Sequence, residues 1–384
     1  MNTPKQYRFH KFLFALLRPI ARFFVFCAYG ARVERNSYQI KPPVLVLGNH
    51  SCFADAVLMA CAFSFPIYIV GASATLQTRL GRLVAKLFGL IPIDKASGDM
   101  GAIRRILREI KAGHSVGLYP EGNCTVDGSM LPIEESIGKL AKQVKVPIVL
   151  MRTTGGYLSR PKWARTKRKK RVRARVVEVL TPEECKALSV EALSERIVAG
   201  ISCDAYEVQE KTQIDYGGKN RADGICRVVS ICPACGREVR FVEKGNTFAC
   251  PKCNHVCGLD EYGYLRGGEH QTLSAWCAWE KEHYEQEAEK DRVLGIRGSL
   301  FEIEKQKMAV NKGELLVGAG EVGIGARNWL YRDIRGVVLH DINHLLITAK
   351  DGCYRFVPDD ENANILPILN VLLWRLNRER KEKR

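Results

Sequence analysis

The chain has no uncharged apolar run of 18 residues among its 384, so no membrane-spanning helix is expected. Fourteen cysteines are sparse for a disulfide scaffold, and most stand singly, as in a reducing compartment. No internal repeat is visible, so a repeat array is not expected. Acid is the scarcer charge: 42 Asp and Glu face 59 Lys and Arg, for a net +17. That excess points to a polyanionic surface or substrate and leaves nucleic acid, an anionic membrane and phosphorylated small molecules open. With 46% hydrophobic and 26% charged residues the chain can bury a core, which excludes wholesale disorder and fibrous classes. Its length suits two or three domains.

Residues 1–35 open with an apolar segment, Phe9 to Tyr29, interrupted by Lys11, Arg18, Pro19 and Arg22. On a helical wheel Arg8, Lys11, Arg18 and Arg22 share an arc of roughly 80°, opposite an apolar face. Charges inside the apolar stretch do not suit a signal peptide, and an amphipathic helix lying in a membrane interface fits better. The plain alternative is an amphipathic helix packed on its own domain.

Over residues 36–185, short apolar runs alternate with helical patterns. Val44–Leu47, Ile67–Val70, Leu90–Ile93, Ser115–Leu118 and Pro147–Met151 read as strands, with helices at Leu76–Phe88 and Met100–Ala112. This predicts an α/β domain with a largely parallel sheet flanked by helices. Arg160 to Arg175 carries ten Lys or Arg and no acid, and its end alternates so that Arg171, Arg173 and Arg175 would share one face of a strand. Residues 186–224 read as a helical linker, with a helix at Glu191–Lys211. Residues 225–265 form a compact unit, and residues 290–384 a β-rich module ending in a helix.

Gly48-Asn49-His50-Ser51-Cys52-Phe53-Ala54-Asp55 follows the first predicted strand. A His and an Asp five positions apart at a strand-to-helix junction can meet, the carboxylate holding one imidazole nitrogen while the other faces a substrate. Taken alone, the spacing suits a structural His equally. Tyr119-Pro120-Glu121-Gly122-Asn123-Cys124-Thr125 also follows a strand, and ligands of such sheets collect at the carboxyl ends of strands. A rival pattern, Gly113-His114-Ser115-Val116-Gly117, matches the nucleophile elbow of lipases, but here a helix precedes and a strand follows, the reverse of what the elbow requires.

These residues resemble the 1-acylglycerol-3-phosphate acyltransferase family of glycerolipid acyltransferases. The Asn-His-x4-Asp block is similar to Asn49–Asp55, the block ending in Ile-Asp-Arg to Gly89–Lys95, the Phe-Pro-Glu-Gly-Thr block to Tyr119–Asn123, and Val-Pro-Ile to Val146–Ile148. Four blocks stand in order over about 100 residues. The resemblance implies that His50 takes the proton of a lysolipid hydroxyl that attacks an acyl thioester, while Asp55 orients the imidazole. It implies an acyl donor of the acyl-CoA or acyl-carrier-protein type and no organic cofactor. Asn49, Lys95, Glu121, Gly122, Asn123 and Thr125 would shape the acceptor site. Thioesters are already activated, so positioning can supply much of the rate without a covalent intermediate.

Three departures bear on the acceptor. Lys95 stands where the family has Arg, which keeps the charge but loses the bidentate fork. Asn123-Cys124 replaces Thr-Arg, and Glu134 in Leu131-Pro132-Ile133-Glu134 replaces a Lys. Arg171 and Arg173 are candidates to compensate. The acceptor headgroup is left open between lysophosphatidic acid, another lysophospholipid and an aminolipid.

Cys232-Pro233-Ala234-Cys235 and Cys250-Pro251-Lys252-Cys253 are two Cys-x2-Cys knuckles separated by 14 residues. Four thiolates at that spacing predict a zinc ribbon whose Zn2+ is structural; disulfides or an iron site are the alternatives, and His255 and Cys257 read as spectators. Ribbons often bind nucleic acid, but the basic density lies at Arg160–Arg175, so lipid and phosphate are the expected partners and nucleic acid is not. The C-terminal stretch resembles pleckstrin-homology-like modules. The whole reads as a peripheral enzyme of the cytoplasmic face of an anionic membrane, the alternative being a ribbon-based binding protein whose acyltransferase-like domain is non-catalytic.

Overall fold

A computed structural model describes residues 4–35, 37–72, 82, 85, 89–93, 100–303 and 309–382. The expected helix Leu76–Phe88 lies largely outside them, and Lys95 lies wholly outside. The chain divides into two compact units: described residues up to Pro161 with Lys169–Tyr216, and Lys162–Arg168 with Gly217 onward.

The first unit is built on seven strands: β1 (Arg32–Val33), β2 (Leu45–Gly48), β3 (Ile67–Ala72), β4 (Ile91–Ile93), β5 (Ser115–Leu118), β6 (Ile148–Thr154) and β7 (Arg173–Leu180). Their order is β1-β7-β6-β2-β5-β3-β4. The five strands expected from apolar runs, β2 to β6, are mutually parallel; β7 runs antiparallel to β6, with β1 parallel to β7. Central strands are covered on both faces, which is why they read as continuous apolar runs. Leu45, Leu47, Leu150 and Val116 pack on the helices Met100–Lys111, Ser136–Val144 and Val190–Ile201. Val44, Val46, Val149 and Met151 pack on the other face, against the helix Asp55–Ala62 and the N-terminal helix. β7 alternates as its sequence predicts: Val172, Ala174 and Val176 are buried while Arg171 and Arg175 are exposed.

The predicted helix Glu191–Lys211 is two helices, Val190–Ile201 and Ala205–Thr212. Asp204 caps the second by accepting hydrogen bonds from Tyr206 and Glu207 backbone N–H groups, which stops the first helix and starts a new one. Within the segment 186–224, Leu193, Ile197 and Ile201 are fully buried in the core of the first unit, so this stretch is part of that unit up to Tyr216.

The N-terminal helix, Pro4–Tyr29, contains Pro19. No spanning helix is expected from the sequence, which lacks an uncharged apolar run of 18 residues, yet the Tyr7–Tyr29 portion is by length and composition long and apolar enough to cross a membrane. Arg18 turns one charge toward the domain, donating from Nε to the Cys61 carbonyl at 3.2 Å. Phe14, Val25 and Tyr29 are buried, while Phe9, Phe12, Leu16, Ile20, Phe23 and Phe24 are exposed on the remaining face.

In the second unit Val242–Lys244, Thr247–Ala249, Val256–Leu259 and Leu265–Arg266 form a four-stranded antiparallel sheet; the knuckle Cys250–Cys253 lies between its second and third strands, and Cys232–Cys235 precedes it in a turn flanked by the Ile231–Glu238 bridge. The helix Leu273–Glu289 packs Trp276 on Phe241 and Phe248. A seven-stranded antiparallel sheet spanning Leu294–Pro358 and the helix Leu366–Glu382 complete the β-rich module. Its first strand, Leu294–Glu302, pairs with both the second and the last strand of that sheet.

Candidate active site

At the carboxyl edge of the sheet β2 ends at Gly48, and Asn49 prolongs its pairing with β6. The Asn49 amide donates to the Thr153 carbonyl at 2.9 Å and accepts from the Thr153 N–H at 2.7 Å. Asn49 is buried, so it fixes the direction in which the next residue leaves the sheet. That residue is His50.

Asp55 is the first residue of the helix Asp55–Ala62 and is buried. One of its oxygens, Oδ2, accepts from the backbone N–H of Ser51 at 2.6 Å and of Cys52 at 2.8 Å, and meets His50 Nδ1 at 3.1 Å. A carboxylate held by backbone donors at a helix N-terminus is a fixed anchor. It selects the tautomer in which His50 Nδ1 carries hydrogen and Nε2 faces outward. Gly156 is needed here: a Cβ on it would come within 2.2 Å of Ser51 Oγ and 3.0 Å of Cys52 Sγ.

Glu121 braces the loop. It accepts from the His50 N–H at 2.7 Å through one oxygen and from the Leu131 N–H at 3.0 Å through the other, and burial pushes its carboxyl up from the ordinary range. Gly122 adopts φ +71° in a turn closed by its N–H to the Tyr119 carbonyl at 3.0 Å, a conformation that favours glycine. Thr125 is buried; its N–H bonds the His50 carbonyl at 3.0 Å and its hydroxyl accepts from the Gly128 N–H at 2.9 Å. Asn123 lies in the same loop. Of the residues singled out in sequence, Glu121 and Thr125 bond the backbone of His50, Asn49 bonds Thr153 beside it, and Gly122 closes the turn after Tyr119.

Two neighbours of the imidazole were not read as functional. Tyr119 stacks on His50 with ring centroids 4.4 Å apart and planes at 21°. Cys124 places Sγ 3.2 Å from His50 Nε2 and 3.4 Å from Nδ1. The usable signal was the departure itself, a thiol where the resembling family carries a cation. Burial pushes the His50 ring down, but hydrogen bonds and charge from Asp55 and Cys124 outweigh it and raise the ring to about 9.

Arg173 pairs in register with Thr154 at the same carboxyl edge of the sheet. Its guanidinium donates to the Gly30 and Val172 carbonyls at 3.0 and 2.8 Å. Arg171 is exposed just before that strand. Ser115, by contrast, begins β5 at the opposite edge, is fully buried and accepts from the Val44 N–H at 3.1 Å. No helix follows it, which rules out an elbow nucleophile.

In the second unit the sulfurs of Cys232, Cys235, Cys250 and Cys253 lie within 4.8 Å of one another. Cys232 and Cys253 are 3.6 Å apart and Cys235 and Cys250 3.9 Å, beyond any disulfide bond. Tetrahedral Zn–S bonds of about 2.3 Å would set sulfurs about 3.8 Å apart, so the four residues fit such an ion. Cys257 is buried and is not one of the four clustered cysteines.

Part of the chain is similar to known proteins. Among curated proteins, the 1-acyl-sn-glycerol-3-phosphate acyltransferase alpha of Ovis aries is 29% identical over 175 residues, covering 44% of this chain and 61% of the relative. That of Homo sapiens is 31% identical over 127 residues, 32% of this chain and 45% of the relative. The 1-acyl-sn-glycerol-3-phosphate acyltransferase of Borreliella burgdorferi is 22% identical over 123 residues, 31% and 49%. The chain thus spans about three-fifths or less of the length of these relatives. A solved 1-acyl-sn-glycerophosphate acyltransferase from Thermotoga maritima is 18% identical with a TM-score of 0.44, over 53% of this chain and 82% of that one. Residues 30–153, the segment that holds His50, Asp55 and Glu121, match the acyltransferase family model.

Proposed function

We propose that this protein is an acyltransferase that moves a fatty acyl group from an acyl thioester, acyl-CoA or acyl carrier protein, to the free hydroxyl of a lysophospholipid. The observation that carries the reading is the His50–Asp55 pair at the carboxyl edge of a parallel sheet, inside the segment that matches the acyltransferase family. His50 Nε2 takes the hydroxyl proton in the transition state, and Asp55 holds the ring and stabilises its charge. The acceptor of the named relatives, 1-acyl-sn-glycerol-3-phosphate, is the first candidate substrate. Lys95, Arg171 and Arg173 supply the cationic groups for its phosphate, with Asn123 as a polar lining residue.

The exposed aromatic face of Pro4–Tyr29 seats the enzyme on an anionic membrane at the cytoplasmic face, where both lipid substrates are found. Cys232, Cys235, Cys250 and Cys253 hold a structural zinc ion that cross-links the two knuckles, and the C-terminal sheet and helix form a pleckstrin-homology-like module.

The test is thiol release from long-chain acyl-CoA and from acyl carrier protein, with liposomes and a panel of lysolipids, for wild type and His50→Ala. Acceptor-dependent release that is lost in His50→Ala supports the reading and names the headgroup. Equal release from both proteins, or none from either donor, overturns it.

A further inference from the structure

We propose that the cleft between the N-terminal helix and the helix Asp55–Ala62 binds one anionic phospholipid, its phosphate held by Arg22 and Arg32; this rests on the membrane seating proposed above and names a lipid for it. A cavity of about 220 Å³ opens there. Val25 and Phe26 of the N-terminal helix, Ala31 and Val33 after it, and Leu58 of the helix Asp55–Ala62 give it apolar walls. Arg22 and Arg32 line it too, and both are exposed, so they stand at its open side.

The positive charge here has no counter-charge in the protein. Among the described residues no carboxylate forms an ion pair with Arg18, Arg22 or Arg32. Arg18, one turn before Arg22, donates from Nε to the Cys61 carbonyl at 3.2 Å, and burial, then Arg22, hold its guanidinium below the ordinary range. The carbonyls that end the N-terminal helix do not need these groups: Lys170 Nζ donates to the Cys27 carbonyl, and Arg173 to that of Gly30 at 3.0 Å. Arg32 lies over the Phe26 ring, 5.1 Å from its centroid, which anchors the guanidinium without using its N–H donors. Those donors are suited to a phosphate.

The apolar walls decide what carries that phosphate. A free anion would meet the arginines and leave the walls bare, whereas a neutral apolar molecule would leave the arginines unpaired. The cavity exceeds the roughly 150 Å³ that admits benzene but falls short of the roughly 300–1,000 Å³ of a drug-sized pocket, so it takes the root of one chain and not a whole lipid. The rest has a place outside: Phe23 and Phe24 follow Arg22 on the same turn and are 69% and 64% exposed. Phosphate at the arginines, chain root in the cleft and chain ends along these rings is how a glycerophospholipid fits. The cleft shares no lining residue with the His50 site.

Full-length protein is titrated calorimetrically with dihexanoyl phosphatidylglycerol as monomers, against dihexanoyl phosphatidylcholine and inorganic phosphate. Phosphatidylglycerol should bind at least about tenfold more tightly than either, the worth of one charge-assisted contact. Arg22→Gln with Arg32→Gln should remove that margin at unchanged melting temperature, since both side chains are exposed. A photoreactive group on one chain of the same lipid should label residues 25–33 or 58–61. Labels confined to 119–125 or 171–175 place the lipid in the acceptor site and overturn the proposal. Equal affinity for the two lipids, or an unchanged affinity in the double variant, overturns it as well, and inorganic phosphate binding as tightly as phosphatidylglycerol reduces the cleft to a free-anion site. Binding to phosphatidylglycerol vesicles is read in parallel. Vesicle binding without monomer binding overturns the cleft and keeps the seating, whereas monomer binding without vesicle binding keeps the cleft and removes the seating.

Discussion

Asp55 Oδ2 lies 3.1 Å from His50 Nδ1 and is fixed there by the N–H groups of Ser51 and Cys52. The pair is preorganised by backbone, so removing either side chain disturbs orientation without opening the core. His50→Ala is expected to lower kcat by about 100-fold to 10,000-fold, the range for a positioned acid–base group. Asp55→Asn keeps the shape but presents a neutral acceptor to the ring, and kcat should fall with KM for the acceptor nearly unchanged. A loss confined to KM in both variants would assign the pair to binding instead.

The ring's titration gives a second check. His50 is surrounded by Asp55, Cys124, Tyr119 stacked on its face, Glu121 on its backbone and Cys52 behind Asp55. Burial lowers its pKa, while Asp55 and Cys124 each raise it, to a net of about 9 against an ordinary 6.5. Cys124→Ala deletes one of the raising partners, so the ring should titrate lower; Asp55→Asn should lower it too. Carbon-13 shifts of labelled histidine against pH read both directly, and an upward move in Cys124→Ala would contradict the contact.

The same shift has a sign in stability. A folded-state value above the ordinary one means that His50 stabilises the fold fully below pH 6.5 and loses that contribution as pH rises through about 9. The melting temperature of wild type should therefore exceed that of His50→Gln by most at acidic pH, with the gap closing across this window. A gap that widens with pH would show the neutral ring to be the favoured form.

The five parallel strands and the His50–Asp55 pair were legible in sequence because each rests on a local signal. Leu45 to Leu47 is a short apolar run and Asp55 is five residues from His50. β1 was not legible: Arg32–Val33 has no apolar run and is a strand only by pairing with Arg173 and Ala174, far along the chain. The break between Ile201 and Ala205 was missed because periodicity continues across it, while the cap at Asp204 that ends it is a single side chain. Glu121 and Thr125 were read as lining an acceptor site, yet their polar atoms meet backbone from His50, Leu131 and Gly128, contacts that spacing does not encode. Cys124 beside Nε2 depends on how two loops fold over one sheet edge, 74 residues apart.

Glu280 ties the helix Leu273–Glu289 to the first knuckle. It accepts from the Ser230 and Ile231 N–H groups at 2.6 and 2.7 Å and from Trp276 Nε1 at 3.1 Å, just ahead of Cys232. Burial is the first cause that pushes its carboxyl up, to about 7, despite these donors. Glu280→Gln retains an acceptor and should change stability by about 1 kcal/mol or less. Glu280→Ala takes the acceptor from the Ser230 and Ile231 N–H groups, while Trp276 Nε1 keeps the Ile231 carbonyl at 3.2 Å, so chemical denaturation should show a loss of about 2–6 kcal/mol.

Metal removal tests the ribbon. Sulfur separations of 3.6 and 3.9 Å match a tetrahedral ion, and a ribbon's fold energy comes largely from its metal. Purified protein should carry one equivalent of zinc, and a strong chelator should expose Trp276 and red-shift its fluorescence as the packing on Phe241 and Phe248 is lost. Cys253→Ser should weaken metal retention. Well under one equivalent of zinc together with no iron would refute the site.

The N-terminal helix supplies the last prediction. Phe12 and Phe23 are each 69% exposed, with Leu16, Ile20 and Phe24 beside them, a contiguous apolar face that water does not favour. Inserting a Phe ring into lipid is worth about 1.5–3 kcal/mol, so Phe12→Glu with Phe23→Glu should weaken binding to anionic vesicles by at least about 100-fold. Because neither ring packs on the domain, melting temperature should barely change. Raising salt weakens any contribution from Arg8, Lys11 and Arg22 but leaves the aromatic part, so binding that survives salt and disappears in the double variant identifies the rings as the anchor. Binding unchanged in the variant would place membrane contact elsewhere on the protein.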